Sequence, residues 1–184
     1  MFIKEKNRTE IEERLKKMGD YAKMDYLQRC LKQQLDFDTR KFALLKLAEI
    51  YENKKMFLEA GKMMDAAANI NTTFQGKIKD FLKSAELFVK GGDFDKADIT
   101  FDKAIACGNT RDREEIKRKK KEFYNVQAEF YFNKDKRKNA LLAYEKFLTL
   151  DLQEAEKRTA QERLLYLYEK LGKIRDYYSL KRMM

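Results

Sequence analysis

The chain has 184 residues, of which 43% are hydrophobic and 39% charged, with no proline and only seven glycines. This apolar fraction supports a buried core and excludes global disorder, while the missing proline and the many strong helix formers favour an all-α fold. The sequence contains no histidine, which excludes Ser-His and Cys-His catalysis and the common histidine metal sites. We therefore expect a protein that is not an enzyme and needs no metal or cofactor.

The net charge of +10 favours an anionic partner, such as nucleic acid, the ribosome, an acidic protein or a membrane surface. The alternative is that the lysines simply lie on solvated helix faces. Cys30 and Cys107 are isolated and far apart, so we expect both to be structural thiols.

Residues 1–6 lack the apolar core of a signal peptide. No apolar run along the chain approaches the length of a membrane-spanning helix. The sequence therefore predicts a soluble protein of the cytoplasm.

Apolar residues recur at helical spacing along the whole chain, between short polar or glycine-containing turns. Thr9 is predicted to cap the first helix, with Glu12 at the spacing of a capping box, and Gly19 to close it. Asp38 or Thr39 is predicted to cap the third helix. The predicted helical hairpins span residues 9–35, 39–70, 74–107, 111–149 and 152–182.

The later hairpins follow the same plan. The first helix of the second hairpin is apolar over a broad arc, which is typical of a helix that packs between two neighbours. Gly91 and Gly92 form the turn of the third hairpin, and Asp93 is predicted to cap the helix that follows. The last helix, from Ile174, is short, and we expect it to cap the array or to pair with another copy of the chain.

Three of the first helices carry a small residue, a glutamate directly after it, and an aromatic residue three positions after it. An alanine of the second helix follows the small residue twelve positions later. Small residues let helix backbones approach closely, and because one hairpin cannot bury both its faces, neighbouring hairpins must stack. The matching sets are Ala48, Glu49, Tyr51 and Ala60; Ala85, Glu86, Phe88 and Ala97; and Ala128, Glu129, Tyr131 and Ala140.

This pattern resembles the tetratricopeptide repeat, and Leu165 and Tyr168 extend the resemblance to the last hairpin. The sequence departs from that family because it has no tryptophan and no proline at the repeat ends. The intervals between Ala48, Ala85 and Ala128 also exceed the usual repeat of about 34 residues. Longer helices of this kind are similar in style to the soluble NSF attachment proteins, whose membrane-fusion function we do not transfer. The resemblance implies an all-α, right-handed α-solenoid of about five stacked hairpins in a single domain over residues 1–184.

The resemblance also implies a concave groove, lined by the first helices, that binds extended or helical peptides. The recurring glutamates would form an acidic ladder that suits a basic or amphipathic segment. Alternatively, each glutamate pairs with a lysine on the adjacent helix. The residues that would line the groove are Phe42, Leu45, Glu49, Glu52, Leu82, Glu86, Val89, Asn125, Glu129, Phe132, Asn133, Glu162, Tyr166 and Glu169.

The strongest concentration of charge consists of Lys117, Arg118, Lys119, Lys120 and Lys121. Five consecutive helical residues spread over more than one turn, at about 100° per residue, so some of these cations must face solvent. Such charges could contact phosphates in a salt-sensitive, non-specific way. The alternative is a solvated helix extension in which the preceding glutamates form helical ion pairs with the run.

The function that we expect is a non-enzymatic scaffold or adaptor, which binds a peptide or helix of a protein partner in its groove. The second hypothesis is a basic adaptor that associates with RNA or the ribosome through the lysine-rich run. Salt distinguishes the two, because binding to nucleic acid weakens steeply as salt rises.

Overall fold

The computed structural model describes residues 7–184, and within this range the chain forms ten α-helices and no strand. The all-α prediction is thereby confirmed, and the predicted hairpins correspond to successive helix pairs. None of the helices in the described range is long and apolar enough to span a membrane. The expectation for residues 1–6 lies outside that range. In chain order the helices are α1 (Arg8–Lys16), α2 (Asp20–Leu31), α3 (Phe37–Asn53), α4 (Phe57–Asn69), α5 (Phe74–Gly91), α6 (Phe94–Cys107), α7 (Thr110–Asn133), α8 (Arg137–Leu148), α9 (Glu154–Lys170) and α10 (Ile174–Met183).

The chain divides into two compact units, one ending at Arg113 and the other beginning at Glu114. In the first unit each helix from α2 to α5 packs on the next one in the chain, and α1 packs on α3. In the second unit α8 packs on α9, and α9 packs on α10. Helices thus pack on their neighbours in sequence, as a helical repeat requires. The single domain over residues 1–184 stays a prediction.

All six alanines of the repeat are buried. In the first unit, α4 and α5 approach closely at Gly61. A Cβ atom there would lie 2.9 Å from the ring of Phe88, and the hydroxyl of Ser84 donates a hydrogen bond of 2.8 Å to the Gly61 carbonyl. Larger side chains at such points would force the helices apart. The six alanines are Ala48, Ala60, Ala85, Ala97, Ala128 and Ala140.

Four hairpins close with the same turn. In each turn one residue adopts a left-handed conformation, and it is glycine in two turns, Lys55 (φ 60°) in another and Asp135 (φ 53°) in the fourth. The next residue donates its amide to the carbonyl of an aromatic residue five positions earlier, which is the Schellman arrangement of a helix end. The repeat is therefore present in the backbone as well as in the side chains. These hydrogen bonds are Met56 to Tyr51 (2.9 Å), Asp93 to Phe88 (3.0 Å), Lys136 to Tyr131 (2.9 Å) and Lys173 to Tyr168 (2.9 Å).

The first helix begins two residues earlier than predicted. Asn7, and not Thr9, is its N-cap, because the Asn7 side chain accepts a hydrogen bond of 3.0 Å from the amide of Glu10. The prediction for Gly19 was also wrong. The helix ends at Lys16, and Gly19 occupies the N-cap position of α2, where its extended backbone starts the next helix.

The cap of α3 also lies earlier than predicted. Asp36 accepts a hydrogen bond of 3.0 Å from the amide of Thr39, so neither Asp38 nor Thr39 is the cap. A capping oxygen must lie about three residues before the amide that it accepts from, and Thr39 is itself that donor. The cap predicted at Asp93 is confirmed, since its side chain accepts from the Lys96 amide at 3.1 Å.

The shared turn predicts opposite effects for two substitutions. Gly92→Ala should lower the free energy of unfolding by about 1 kcal/mol, because a Cβ disfavours the left-handed conformation at φ 80°. Lys55→Gly should raise it by up to about 1 kcal/mol, because it removes that same strain. Urea denaturation followed by circular dichroism measures both. Lys54→Gly is the control, since Lys54 has φ −85° and gains nothing from glycine; a gain in stability for the control as well would contradict this explanation.

Candidate protein-binding surfaces

The glutamates of the first unit that were predicted to form an acidic ladder all pair with lysines, Glu52 with lysines of the neighbouring first helix, and Glu49 and Glu86 with lysines of their own helix. Lys83 of α5 lies 2.7 Å from a carboxylate oxygen of Glu52 on α3, and 3.3 Å from one of Glu86. Lys90 contacts Glu86 at 2.5 Å and lies 3.8 Å from Glu52. We call these four side chains the charge network. Two carboxylates are matched by two ammonium groups, so a basic peptide would have to displace the lysines.

The environment favours the charged forms of two members of the charge network, Glu86 and Lys83. Burial raises the pKa of Glu86, but the hydrogen bond from Lys90 and the charge of Lys83 outweigh burial, and the net shift is downward. For Lys83, burial lowers the pKa, whereas the hydrogen bond to Glu52 and the nearby carboxylates raise it, and the net shift is upward. Both groups are therefore charged at neutral pH, and the network is stable in that range.

Three of the predicted groove residues belong to the core of the first unit. Phe42, Leu82 and Val89 are all buried. The guanidinium of Arg8 on α1 lies 4.9 Å from the centre of the Phe42 ring and covers it. The reason is the width of the apolar arcs on α3 and α5, which pack against more than one neighbouring helix. These three side chains therefore expose little area to a partner.

Leu45 and Glu49 remain accessible on α3. Leu45 is half-buried, and Glu49 is exposed and lies 2.9 Å from the ammonium of Lys46 on the same helix. Glu49 also lines a shallow cleft between α1, α2 and α3. The cleft has a volume of about 270 Å³, just below the roughly 300–1,000 Å³ typical of small-molecule sites. Its walls are formed by Glu12, Leu15, Lys16, Asp20, Lys23, Phe42, Lys46, Glu49, Ile50 and Asn53.

In the second unit, α7 and α9 present an accessible pair of aromatic rings. The centres of the Phe132 and Tyr166 rings are 5.5 Å apart, and Tyr166 is 42% exposed while Phe132 is half-buried. The guanidinium of Arg163 lies 4.3 Å from the centre of the Phe132 ring, within cation–π distance. Together with Glu129, these residues form what we call the aromatic surface.

Hydrogen bonds and charge hold the aromatic surface in place. Glu129 accepts a hydrogen bond from the buried hydroxyl of Tyr144 and lies 3.6 Å from Arg163. Burial, followed by the hydrogen bond to Glu129, raises the pKa of Tyr144, so its hydroxyl stays protonated as a donor. Lys170 lies 5.5 Å from the centre of the Tyr166 ring. Arg163 is thus fixed over Phe132 before any partner binds, which lowers the entropic cost of binding.

The other predicted groove residues of this unit are exposed on the same two helices. Asn125 and Asn133 lie on α7, and Glu162 and Glu169 lie on α9, where Glu162 pairs with Arg158 at 3.3 Å. The sequence reasoning missed Arg163, which lies three positions before Tyr166 and so shares its helix face.

The lysine-rich run of α7 is partly neutralised, as its alternative interpretation predicted. Lys117 lies 2.9 Å from Glu114, and Lys119 lies 3.6 Å from Glu115. Lys121 lies 3.9 Å from Glu156 of α9. Lys117 and Arg118 are exposed, whereas Lys119, Lys120 and Lys121 are half-buried. The accessible positive charge of the run is therefore smaller than the sequence indicates.

Comparison with models of protein families finds none that matches this chain, and comparison with curated proteins finds no significant match. Within residues 7–184, no three acidic, cysteine or histidine side chains lie together as metal ligands would. The function is therefore inferred from the geometry of the charge network and of the aromatic surface.

The charge network predicts a pH-dependent stability. Because the pKa of Glu86 lies below its ordinary value of 4.5 in the folded state, its carboxylate stabilises the fold above that pH, and the contribution is lost as pH falls through the lowered pKa. We expect Glu86→Gln to lower the free energy of unfolding by up to about 1 kcal/mol at neutral pH, and by less below pH about 4.5. Urea denaturation at a series of pH values measures this difference.

The matched control is Glu49→Gln, which changes the same repeat position at a more exposed site with one lysine partner. Its effect should be smaller at every pH. If the two variants behave alike, the charge network does not stabilise the fold more than an isolated surface pair.

Proposed function

We propose that the chain is a non-enzymatic scaffold that binds a peptide or helix of a protein partner at the aromatic surface of the second unit. The observation that carries this proposal is the exposed Tyr166 ring beside the Phe132 ring. The guanidinium of Arg163 already lies over the Phe132 ring. Tyrosine and arginine dominate the residues that contribute most to protein–protein binding. An apolar side chain of a partner would be buried against the two rings.

The charged residues next to the aromatic surface on α9 indicate which charge a partner should carry. The exposed carboxylates of Glu162 and Glu169 lie on the same helix as Tyr166. They attract cations, while the rings accept an apolar anchor. A segment with both features, such as an amphipathic helix with lysine or arginine beside its apolar face, fits best.

The shared turns and the buried alanines support a tetratricopeptide-like repeat. We infer that each hairpin is a divergent repeat of this kind. The right-handed winding, the similarity in style to the soluble NSF attachment proteins and the cytoplasmic location stay predictions.

The basic adaptor on RNA or the ribosome is the second candidate. The exposed side chains of Lys117 and Arg118 favour it. It ranks lower because Lys117, Lys119 and Lys121 pair with carboxylates, which reduces the number of phosphates that the run can neutralise.

The proposal predicts that Tyr166→Ala weakens partner binding by at least about tenfold, the usual effect of removing a central aromatic contact. The measurement is affinity purification from native lysate on the immobilised full chain, followed by mass spectrometry and then titration of the recovered partner. Half of the lysate is treated with nuclease. Leu142→Ala is the control, because it removes an apolar side chain that is 54% exposed on α8.

A partner that survives nuclease, binds the control normally and is lost with Tyr166→Ala would support the scaffold. Partners that disappear on nuclease treatment, or whose binding falls steeply with salt and is unaffected by Tyr166→Ala, would overturn it in favour of the RNA adaptor. Circular dichroism of each variant checks that the fold is retained.

A further inference from the structure

The last helix of the second unit leaves an amphipathic face uncovered. α10 packs on α9, and its Tyr177 and Leu180 are half-buried. No residue of α10 is fully buried, and Ile174 and Tyr178 are 67% and 57% exposed. Its outer face therefore has apolar contact area that no described helix covers.

Because α4, α8 and α10 all follow the shared turn, residues at the same distance from that turn can be compared among the three helices. Counting from the residue whose amide closes the turn, the fifth position is Gly61 in α4, Leu141 in α8 and Tyr178 in α10. Gly61 is buried against Phe88 of the next helix, and Leu141 is only 4% exposed. Tyr178 thus occupies a stacking position that is covered in α4 and α8, while the equivalent residue of α6, Asp98, is half-buried.

The charge of this stacking face is reversed in α10. The ninth position is Asp65 in α4, which lies 2.8 Å from Lys103, and Glu145 in α8, which accepts a hydrogen bond of 3.1 Å from the Tyr168 hydroxyl of α9. In α10 it is Arg182, and Arg175 lies on the other side of Tyr178. Where the covered stacking faces carry a carboxylate, this face carries a guanidinium.

We propose that Arg175, Tyr178 and Arg182 form a docking face for a helix of another protein that carries carboxylates two turns apart. The two arginines are seven residues apart, which is about 10.5 Å along the helix. Neither guanidinium lies within ion-pair distance of a carboxylate in the described part of the chain. The partner helix would place Asp or Glu opposite each arginine and a small or apolar residue against Tyr178.

A second copy of α10 is a poor occupant of this face. A symmetric pair of α10 helices would bring arginines of both copies together, and such like-charge contacts disfavour association. This docking face is separate from the aromatic surface, so the proposal does not depend on the function proposed above.

The test uses the immobilised full chain and a displayed library of single helices with randomised surface positions. We expect the selected helices to carry Asp or Glu seven residues apart around a small or apolar residue. Fluorescence anisotropy with a selected peptide should show binding at least about tenfold weaker to the Arg175→Glu/Arg182→Glu variant and to Tyr178→Ala. Lys134→Glu, at an exposed cation of the same unit, is the control and should bind normally.

Several results would overturn the proposal. Selected helices without the paired carboxylates, or with affinity unchanged by Arg175→Glu/Arg182→Glu, would show that this face is not the docking site. A dimer in analytical ultracentrifugation that Tyr178→Ala dissociates would identify a second copy as the occupant. An oligouridine that binds as tightly as the selected peptide, with the same dependence on the arginines, would identify a general anion site.

Discussion

Each of the four regular hairpins has one backbone hydrogen bond in common, in which the residue just before the second helix donates its amide to the carbonyl of a buried aromatic residue. The bond fixes the distance from that aromatic residue to the start of the next helix. It thereby also fixes the twelve-residue interval between paired alanines such as Ala48 and Ala60. Because those alanines are buried, the turn sets the register in which small residues meet the neighbouring helices. Irregular lengths elsewhere, as in the long α7, leave this local geometry unchanged.

The same helix faces are used differently in the two units. On α3 and α5, Glu52 and the recurring Glu86 are matched by Lys83 and Lys90, and the neighbouring apolar side chains are buried. On α7 and α9, the recurring Glu129 instead holds Arg163 over Phe132, and Tyr166 stays accessible. A paired surface charge contributes little to binding unless it is desolvated, whereas an accessible ring contributes apolar area. The second unit is for this reason the better binding surface.

The sequence could predict the helices and turns because both depend on local chemistry. Helical periodicity, glycines such as Gly92 and polar turns mark the hairpins, and the alanine and aromatic spacing predicts the stacking. The caps at Asn7 and Asp36 were missed because several polar residues compete near a helix start, and backbone geometry decides among them. The sequence predicted, as an alternative to the acidic ladder, that glutamates pair with lysines of the adjacent helix. It did not identify Lys83 as the partner of Glu52, because the two are 31 residues apart. The ring of Phe42 is covered by Arg8 of α1. The spacing of apolar residues predicts that α1 is a helix, but it does not predict where α1 packs.

The two proposed surfaces of the second unit share a plan and differ in charge. Each places an exposed tyrosine among charged side chains, but Tyr166 has Glu162 and Glu169 as well as Arg163 and Lys170 on its own helix, whereas Tyr178 has Arg175 and Arg182. An apolar anchor alone would fit either surface, so the charges must provide the discrimination. An acidic helix is attracted to the two guanidinium groups of the second surface, whereas the first surface presents both signs and suits an apolar anchor flanked by cations for Glu162 and Glu169. The excess of basic residues in the whole chain therefore does not imply a single kind of anionic partner, because the charges near each accessible ring determine what binds there.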